Sequence, residues 1–205
     1  MLLAIDVGNT NAVFGLFGPD AGEAVAVWRL TSRRDRTDDE WFALLRPLIA
    51  TSDAGVESVD AVVLSSVVPA IGEMVVRMVR KRFGIEPLVV GSDLDLGIVV
   101  RTDAPHETGT DRIANCAAAF ARFGGPTIVV DLGTATKIEA ITAAGEYLGG
   151  VIAPGIGLTL ETLAARAARL YAVELQRPAA AIGRNTVAAV QAGVVEGHLA
   201  MIEGM

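Results

Sequence analysis

The sequence predicts an α/β fold built from two halves of similar design. Three observations favour it: short apolar segments bounded by turn residues, amphipathic segments with helical spacing between them, and an Asp-x-Gly turn in each half. The 205 residues are 52% hydrophobic and 20% charged, which excludes a disordered chain or a coiled coil. This length suits one large domain or two small domains that share a cleft.

The first half predicts three strands followed by alternating helices and strands. Its apolar runs are separated by Gly, Asn, Pro and Asp, which favour turns. Leu44, Leu45 and Leu48 recur at helical spacing behind a cluster of acidic residues that suits a helix first turn. In order, the segments predict strands at 2–6, 12–17 and 24–30, a helix at 37–51, a strand at 61–66, a helix at 69–83 and a strand at 87–90.

The second half repeats this plan. An Ala-rich helix is predicted at 115–123, strands at 127–131, 137–141 and 147–152, and helices at 157–170 and 185–201. Residues 5–10 and 130–135 are similar in sequence. Each of these two segments ends the first strand of its half and opens a hairpin. Such a repeat predicts duplicated domains that face each other, here residues 1–108 and 109–205.

Composition excludes several classes of function. The formal net charge of −7 would repel a phosphate backbone, so we expect no nucleic-acid partner. The longest charge-free stretch, at 147–160, is broken by Gly and Pro, and the N-terminus has no leader pattern, so we expect a cytoplasmic protein without a membrane partner. Cys116, His106 and His198 cannot form a zinc site, and Cys116 is expected to be a buried, inert packing residue.

The two acidic turns predict a site for a metal-bound nucleotide. Glycine lets the backbone approach a phosphate and present N–H groups to it. Asp6 and Asp131 would repel a bare phosphate, so a cation such as Mg²⁺ has to lie between carboxylate and phosphate. Either turn alone could be an ordinary one in which the aspartate bonds its own backbone. Two copies at equivalent points of a repeat favour the ligand site.

A third candidate element lies between the halves. Thr108 and Asp111 have the spacing of a capping box, so Asp111 could simply begin a helix. Arg112 is unexpected there, because a cation in the first turn of a helix opposes the helix dipole. Arg112 should therefore face a negative group, and two alternatives stay open: a nearby acidic side chain or an anionic substrate.

Six motifs in order resemble those of one enzyme family. They are Asp6–Asn11, Ser65–Pro69, Gly109–Arg112, Asp131–Thr136, Gly149–Gly155 and Gly183–Thr186. Together they resemble the type III pantothenate kinases, and the likeness covers nearly the whole chain. The opposed hairpins resemble the actin, hexokinase and Hsp70 superfamily, in which a nucleotide lies between two ribonuclease H-like domains. The resemblance implies ATP-dependent phosphorylation of pantothenate, the first step of coenzyme A biosynthesis, by a homodimer that needs Mg²⁺ and a monovalent cation, K⁺ or NH₄⁺.

The resemblance also implies roles for individual residues. Asp6 would lie nearest the Mg²⁺, and Asp131 would help to hold the monovalent cation. Asp111 would be the general base, and Arg112 would bind the carboxylate of pantothenate. The ATP-binding residues would be Asp6, Val7, Gly8, Asn9, Thr10, Asn11 and Thr134, and pantothenate would contact Gly109, Thr110, Asp111, Arg112 and, from the neighbouring protomer, Thr186.

This sequence departs from the family pattern at a few positions. Ala104 replaces the usual asparagine before Pro105, and Thr102 stands where an aromatic residue is common. Lys137 replaces a small or apolar residue; it either reaches a phosphate or points outward, and strand alternation favours the outward direction. Met205 falls within a predicted helix, short of the last strand and helix expected for the family, which predicts a truncated chain.

Two other functions remain as alternatives. One is a kinase for another small hydroxylated substrate, although such a substrate gives no evident reason for Arg112. The other is a nucleotide-binding accessory or regulatory protein without kinase activity. The retention of Asp6, Asp111 and Asp131 favours an active kinase over that second alternative.

Overall fold

The computed structural model describes residues 1–20, 22–52, 54–166 and 173–205. Within these ranges, nine strands form two sheets and five α-helices pack against them. The strands are β1 (Leu2–Val7), β2 (Asn11–Phe17), β3 (Ala24–Thr31), β4 (Ala61–Ser66), β5 (Leu88–Val89), β6 (Val99–Val100), β7 (Thr127–Leu132), β8 (Ala135–Ile141) and β9 (Glu146–Pro154). The helices are α1 (Asp38–Ala50), α2 (Pro69–Phe83), α3 (Thr110–Phe123), α4 (Ile156–Arg166) and α5 (Thr186–Gly204).

The first sheet has the strand order β3-β2-β1-β4-β5, in which β1 runs antiparallel to β2 and parallel to β4. Leu3, Ile5 and Val7 alternate along β1 and are buried in the core that α1 and α2 cover. Asp6 therefore lies on the opposite face of the sheet, at the end of the strand. The alternation of β1 places one acidic side chain outside the core, where it can meet a ligand.

Local signals set the ends of the two core helices. Thr37 caps α1 in a capping box with Glu40. Pro69 occupies the first turn of α2, and Gly84 ends it in the left-handed conformation, with φ of 69°. The predicted strand at 61–66 and the predicted helix at 69–83 are confirmed residue for residue.

The second sheet has the order β6-β9-β8-β7, and β7, β8 and β9 form an antiparallel meander like that of β1, β2 and β3. Its small core includes Ile113 and Cys116 of α3 packed against Ile141 and Tyr147. Cys116 is fully buried, so the predicted burial is confirmed, and burial raises the pKa of its thiol to about 12, which disfavours the reactive thiolate.

The structure differs from the predicted elements in a few places. The short strand β6 was not predicted, and α3 begins at Thr110 rather than at Asn115. The end of the helix predicted at 157–170 lies partly outside the described residues. The domain boundary at 108/109 stays a prediction; β6 precedes it in the chain and pairs with β9 beyond it. No helix in the described ranges has the length and apolar character needed to cross a membrane.

Candidate functional site

The two Asp-x-Gly turns meet across a cleft. The hydroxyl oxygens of Thr10 and Thr134, one from each turn, lie 2.9 Å apart although 124 positions separate them in sequence. Each turn is closed by a backbone hydrogen bond from its glycine, from Gly8 to Asn11 and from Gly133 to Ala135. A cavity of about 480 Å³ opens between the turns and is lined by both of them and by the first turns of α3. The predicted nucleotide turns are thus brought together.

Three carboxylates face this cavity. Asp6 lies at the end of β1, Asp131 near the end of β7 and Asp111 in the first turn of α3. Burial raises the pKa of Asp6, a hydrogen bond from the Ser65 hydroxyl opposes that rise, and the like charges of Asp111 and Asp131 add to it. The carboxylates therefore repel one another, and the cleft is built to receive positive charge.

Lys137 supplies part of that positive charge. Its Nζ donates to Asp111 Oδ2 at 2.6 Å and to Asp131 Oδ2 at 2.8 Å, and its side chain is only 17% exposed. Burial alone would lower the pKa of Lys137, but the hydrogen bonds to the two aspartates raise it, so the ammonium stays charged. The outward direction favoured from strand alternation is wrong. Lys137 lies directly opposite Asp131 in the β7–β8 register, so both side chains share the face toward α3.

Arg112 is held by a residue that the sequence did not suggest. Its Nε and Nη2 donate to the two carboxylate oxygens of Glu139, at 2.6 and 2.8 Å, and the hydroxyl of Tyr147 donates to the same carboxylate at 2.6 Å. Glu139 is only 2% exposed. Of the two alternatives for Arg112, an acidic side chain is the partner present here. A Glu between apolar residues of a predicted strand was the only available signal for this pair.

The start of α3 differs from the predicted capping box. Thr108 bonds Thr102, hydroxyl to hydroxyl at 2.9 Å, and no side chain caps the helix. Thr110 instead ties the helix to β4, since its hydroxyl accepts from the backbone N–H of Ser66. Asp111 Oδ1 accepts the backbone N–H of Arg112 at 2.9 Å. The carboxylate is therefore oriented from two sides, by this N–H and by the lysine ammonium.

Gly109 precedes this turn, and its lack of a side chain leaves space for the Asp111 carboxylate. A Cβ at that position would lie 2.6 Å from Asp111 Oδ1. The predicted substrate residues 109–112 lie together in the turn that begins α3, and their contact with pantothenate stays a prediction.

Thr186 lies apart from the acidic cleft. It begins α5, where Asn185 caps the helix by accepting the N–H of Ala188. It lines a second cavity, of about 830 Å³, formed mainly by α4 and α5. His198 of α5 bonds the buried Thr136 hydroxyl at 2.7 Å, a contact that nothing in the sequence indicated. The predicted role of Thr186 in a neighbouring protomer's site stays a prediction.

The residues of the cleft fit a magnesium–nucleotide. Within the described ranges, no three His, Cys, Asp or Glu side chains form a metal cage. Mg²⁺ is commonly held by one or two carboxylates together with water and substrate phosphates, and Asp6 is such a carboxylate. The fit of a free monovalent cation is different, because Asp131 Oδ2 already accepts the Lys137 ammonium. The residues at that oxygen do not fit a second cation.

Comparison with known proteins identifies the family. The model of the type III pantothenate kinase family matches residues 2–205. A type III pantothenate kinase of Moorella thermoacetica is 47% identical over 205 residues, which are 100% of this chain and 80% of the relative. One of Solibacter usitatus is 43% identical over 205 residues, covering 100% of this chain and 78% of the relative.

Solved structures support the same fold. A putative 2-dehydro-3-deoxygalactonokinase from Sinorhizobium meliloti matches with a TM-score of 0.60 at 13% identity, covering 98% of this chain and 81% of the other. A conserved putative Baf family transcriptional activator from Campylobacter jejuni matches with a TM-score of 0.59 at 20% identity, covering 98% and 78%. The predicted α/β fold class is confirmed, since the described residues form two sheets flanked by helices and both solved structures share the fold over 98% of this chain. With the family model matched along its length, this chain belongs to the type III pantothenate kinase family.

Proposed function

We propose that this chain transfers the terminal phosphoryl group of ATP to the primary hydroxyl of pantothenate, giving 4′-phosphopantothenate for coenzyme A biosynthesis. Family membership along the chain supports the reaction, and the acidic cleft between the two turns supports its location. The single observation that carries the assignment is the convergence of Asp6, Asp111 and Asp131 on one cavity. An accessory protein without activity would have no need for these three repelling charges.

The ATP phosphates would lie between the two turns. Residues 6–11 and Thr134 line the cavity from opposite sides, so they can enclose a triphosphate chain. Asp6 would hold the Mg²⁺, which neutralises phosphate charge and orients the transferred group when bound. The Thr10 and Thr134 hydroxyls, already within hydrogen-bond distance of each other, would both be available to phosphate oxygens.

Asp111 would accept the proton of the pantothenate hydroxyl. Phosphoryl transfer depends more on alignment and charge stabilisation than on a strong base. The Asp111 carboxylate is suited to this, because the Arg112 N–H fixes Oδ1 and the Lys137 ammonium fixes Oδ2. Each oxygen keeps a lone pair for the substrate hydroxyl.

Arg112 would bind the pantothenate carboxylate from its fixed position. A guanidinium has five N–H groups, and Arg112 gives two of them to Glu139, so three remain for a ligand. The ion pair with Glu139 keeps the Arg112 side chain from turning toward the nearby Asp111 and forming an ion pair with the proposed base. A bound guanidinium of fixed orientation also loses little entropy when a carboxylate arrives.

The remaining partners follow from the resemblance. We propose a cytoplasmic homodimer in which Thr186 of one protomer completes the pantothenate site of the other. Its place at the α4–α5 cavity, apart from the cavity that Asp111 lines, supports a role across an interface. The monovalent cation implied by the resemblance stays a prediction, and the contact of Asp131 Oδ2 with the Lys137 ammonium leaves that oxygen poorly suited to bind it.

The test is an assay of ADP formation from ATP by the purified chain with Mg²⁺ and pantothenate. Asp111→Asn should reduce kcat by about 10³-fold, since it removes the base and keeps the shape, while ATP binding should remain measurable by calorimetry. Asp103→Asn is the matched control, because Asp103 is an exposed aspartate in the preceding loop. Turnover of Asp111→Asn within a few-fold of wild type would exclude Asp111 as the base.

A further inference from the structure

Lys137 is the one lysine that lines the acidic cavity. The chain has two lysines, and the other, Lys81, lies on the surface of α2, half-exposed, where it also bridges two aspartates. The two lysines thus make the same kind of contact in different places. Only Lys137 makes it beside the proposed base and against the predicted cation ligand.

The charge balance of the cleft depends on this side chain. Three carboxylates line the cavity, and a nucleoside triphosphate adds further negative charge to it. Lys137 bonds both Asp111 and Asp131 directly. Arg29 also lines the cavity, but in the described part of the chain Lys137 is the cation that contacts Asp111 and Asp131. Without its ammonium, these two carboxylates would have no positive charge in contact with them when a polyanion binds beside them.

The backbone dictates where the ammonium lies. Lys137 pairs with Asp131 across β7 and β8, so the two side chains leave neighbouring strands on the same face. The first turn of α3 covers that face and brings Asp111 within 2.6 Å of the ammonium. An ammonium has three N–H groups, and two of them go to the aspartates, so one remains for a ligand in the cavity.

We infer that Lys137 is a built-in cation, which occupies at Asp131 the place that the resemblance gives to free K⁺ or NH₄⁺, so that this chain needs no added monovalent cation. The inference rests on the proposed function, since phosphoryl transfer is its main readout. Lys137 acts as a positioning residue: it orients Asp111 and balances the charge beside it. A tethered ammonium is present at its site at every salt concentration, whereas a free cation has to bind.

A purely structural role for Lys137 makes a different prediction. If the ion pairs only held α3 to the sheet, their loss would lower stability, and added K⁺ would have no specific effect on catalysis. If the ammonium serves as the cation of the site, a variant without it should respond to K⁺ or NH₄⁺ in solution. Chemical rescue by a small cation therefore separates the two roles.

The experiment compares wild type, Lys137→Met and Lys81→Met in tetramethylammonium, K⁺ and NH₄⁺ chloride at equal ionic strength. Wild-type turnover should differ by less than about threefold among the three salts. Lys137→Met should lose about 100-fold in kcat/KM in tetramethylammonium and regain at least about tenfold in K⁺ or NH₄⁺. Lys81→Met, which loses the equivalent surface contacts, should match wild type in every salt.

Two results would overturn the inference. One is a wild-type turnover that rises more than about threefold when K⁺ or NH₄⁺ replaces tetramethylammonium. The other is a folded Lys137→Met that is fully active, or that is inactive and equally so in all three salts. If Lys137→Met does not fold by circular dichroism, the wild-type measurement and Lys137→Arg, which keeps the charge and should stay independent of K⁺, decide the question.

A binding measurement separates this inference from the proposed function. The rise in melting temperature caused by Mg²⁺-ATP in wild type should be the same in K⁺ and in tetramethylammonium. A rise that needs K⁺ would overturn the role of Lys137 without reference to turnover. If pantothenate is not phosphorylated in any salt while Mg²⁺-ATP binding is independent of K⁺, the proposed function fails and the role of Lys137 is supported.

Discussion

Removing the negative charge of Glu139 should both lower the free energy of unfolding and raise the KM for pantothenate. Glu139 is 2% exposed, and it is the partner of both the Arg112 guanidinium and the Tyr147 hydroxyl. In Glu139→Gln the side chain keeps its size, but an amide N–H₂ replaces one of the two acceptor oxygens. Whichever oxygen is replaced, Arg112 loses one of its two acceptors, and its guanidinium, 17% exposed, loses the charge of its ion-pair partner.

The magnitude follows from the burial of the pair. Breaking a buried ion pair by removing one partner costs about 3–5 kcal/mol. The remaining oxygen of the glutamine still accepts one hydrogen bond, which offsets about 1 kcal/mol of that loss. We therefore expect a loss of about 3 kcal/mol, which a domain with about 10 kcal/mol of stability survives in the folded state. The same loss of orientation should raise the KM for pantothenate about tenfold, because Arg112 is no longer fixed in place.

The assay is urea unfolding of wild type, Glu139→Gln and the control Glu146→Gln, followed by fluorescence and extrapolated to water. Glu146 bonds Arg101 in an ion pair in which the two side chains are 36% and 59% exposed, so its loss should cost about 0.5 kcal/mol. A loss in Glu139→Gln no larger than in the control would refute the reasoning. So would an unchanged KM for pantothenate in a variant that had lost the expected stability.

Two further predictions concern packing around the site. The Cys116 thiol is buried, and its pKa is raised to about 12. Iodoacetamide at pH 8 should therefore leave it unmodified in the native protein and alkylate it in urea, which mass spectrometry can measure. Rapid alkylation of the native protein would contradict the burial of the thiol. A Cβ on Gly155 would clash with the carbonyl oxygen of Gly133 and lie 2.6 Å from that of Thr134. Gly155→Ala should therefore displace the second Asp-x-Gly turn and cost about 2 kcal/mol of stability. If that turn binds ATP as proposed, the KM for ATP should rise as well. In the control Gly157→Ala, where a Cβ meets nothing within 4 Å, stability should be unchanged or slightly higher in urea unfolding, and equal effects of the two changes would exclude the proposed clash.

Most of the fold could be predicted because its signals are local. Pro69 and Gly84 mark the two ends of α2 through their own backbone preferences, so the predicted helix agrees at both ends. The start of α3 could not be predicted in this way. Its first turn is held by Thr110 against Ser66, a contact between distant segments, and the apparent capping residue Thr108 bonds Thr102 instead.

The candidate site could be predicted only in part, for a related reason. Asp6 and Asp131 stood out because a repeated motif is visible without any knowledge of packing, and their turns do meet in the structure. Lys137 stood out only as a departure from the family pattern, with the wrong direction favoured for its side chain, and Glu139 did not stand out at all. Strand alternation shows which side chains share a face, but it does not say which face another element covers. That information comes from α3, whose position on the second sheet is a matter of tertiary structure.

Lys137 and Glu139 explain how α3 is placed. Lys137 and Glu139 are two positions apart on β8 and share one face, and they pair with the consecutive residues Asp111 and Arg112. The helix turn carries a negative and then a positive residue, whereas β8 carries a positive and then a negative one. Each residue of the helix turn therefore meets an opposite charge only in this alignment. A shift of β8 by one residue would send both charges to the other face of the sheet. The register that closes the second sheet therefore also directs the proposed base toward the acidic cleft and places the proposed carboxylate-binding arginine next to it.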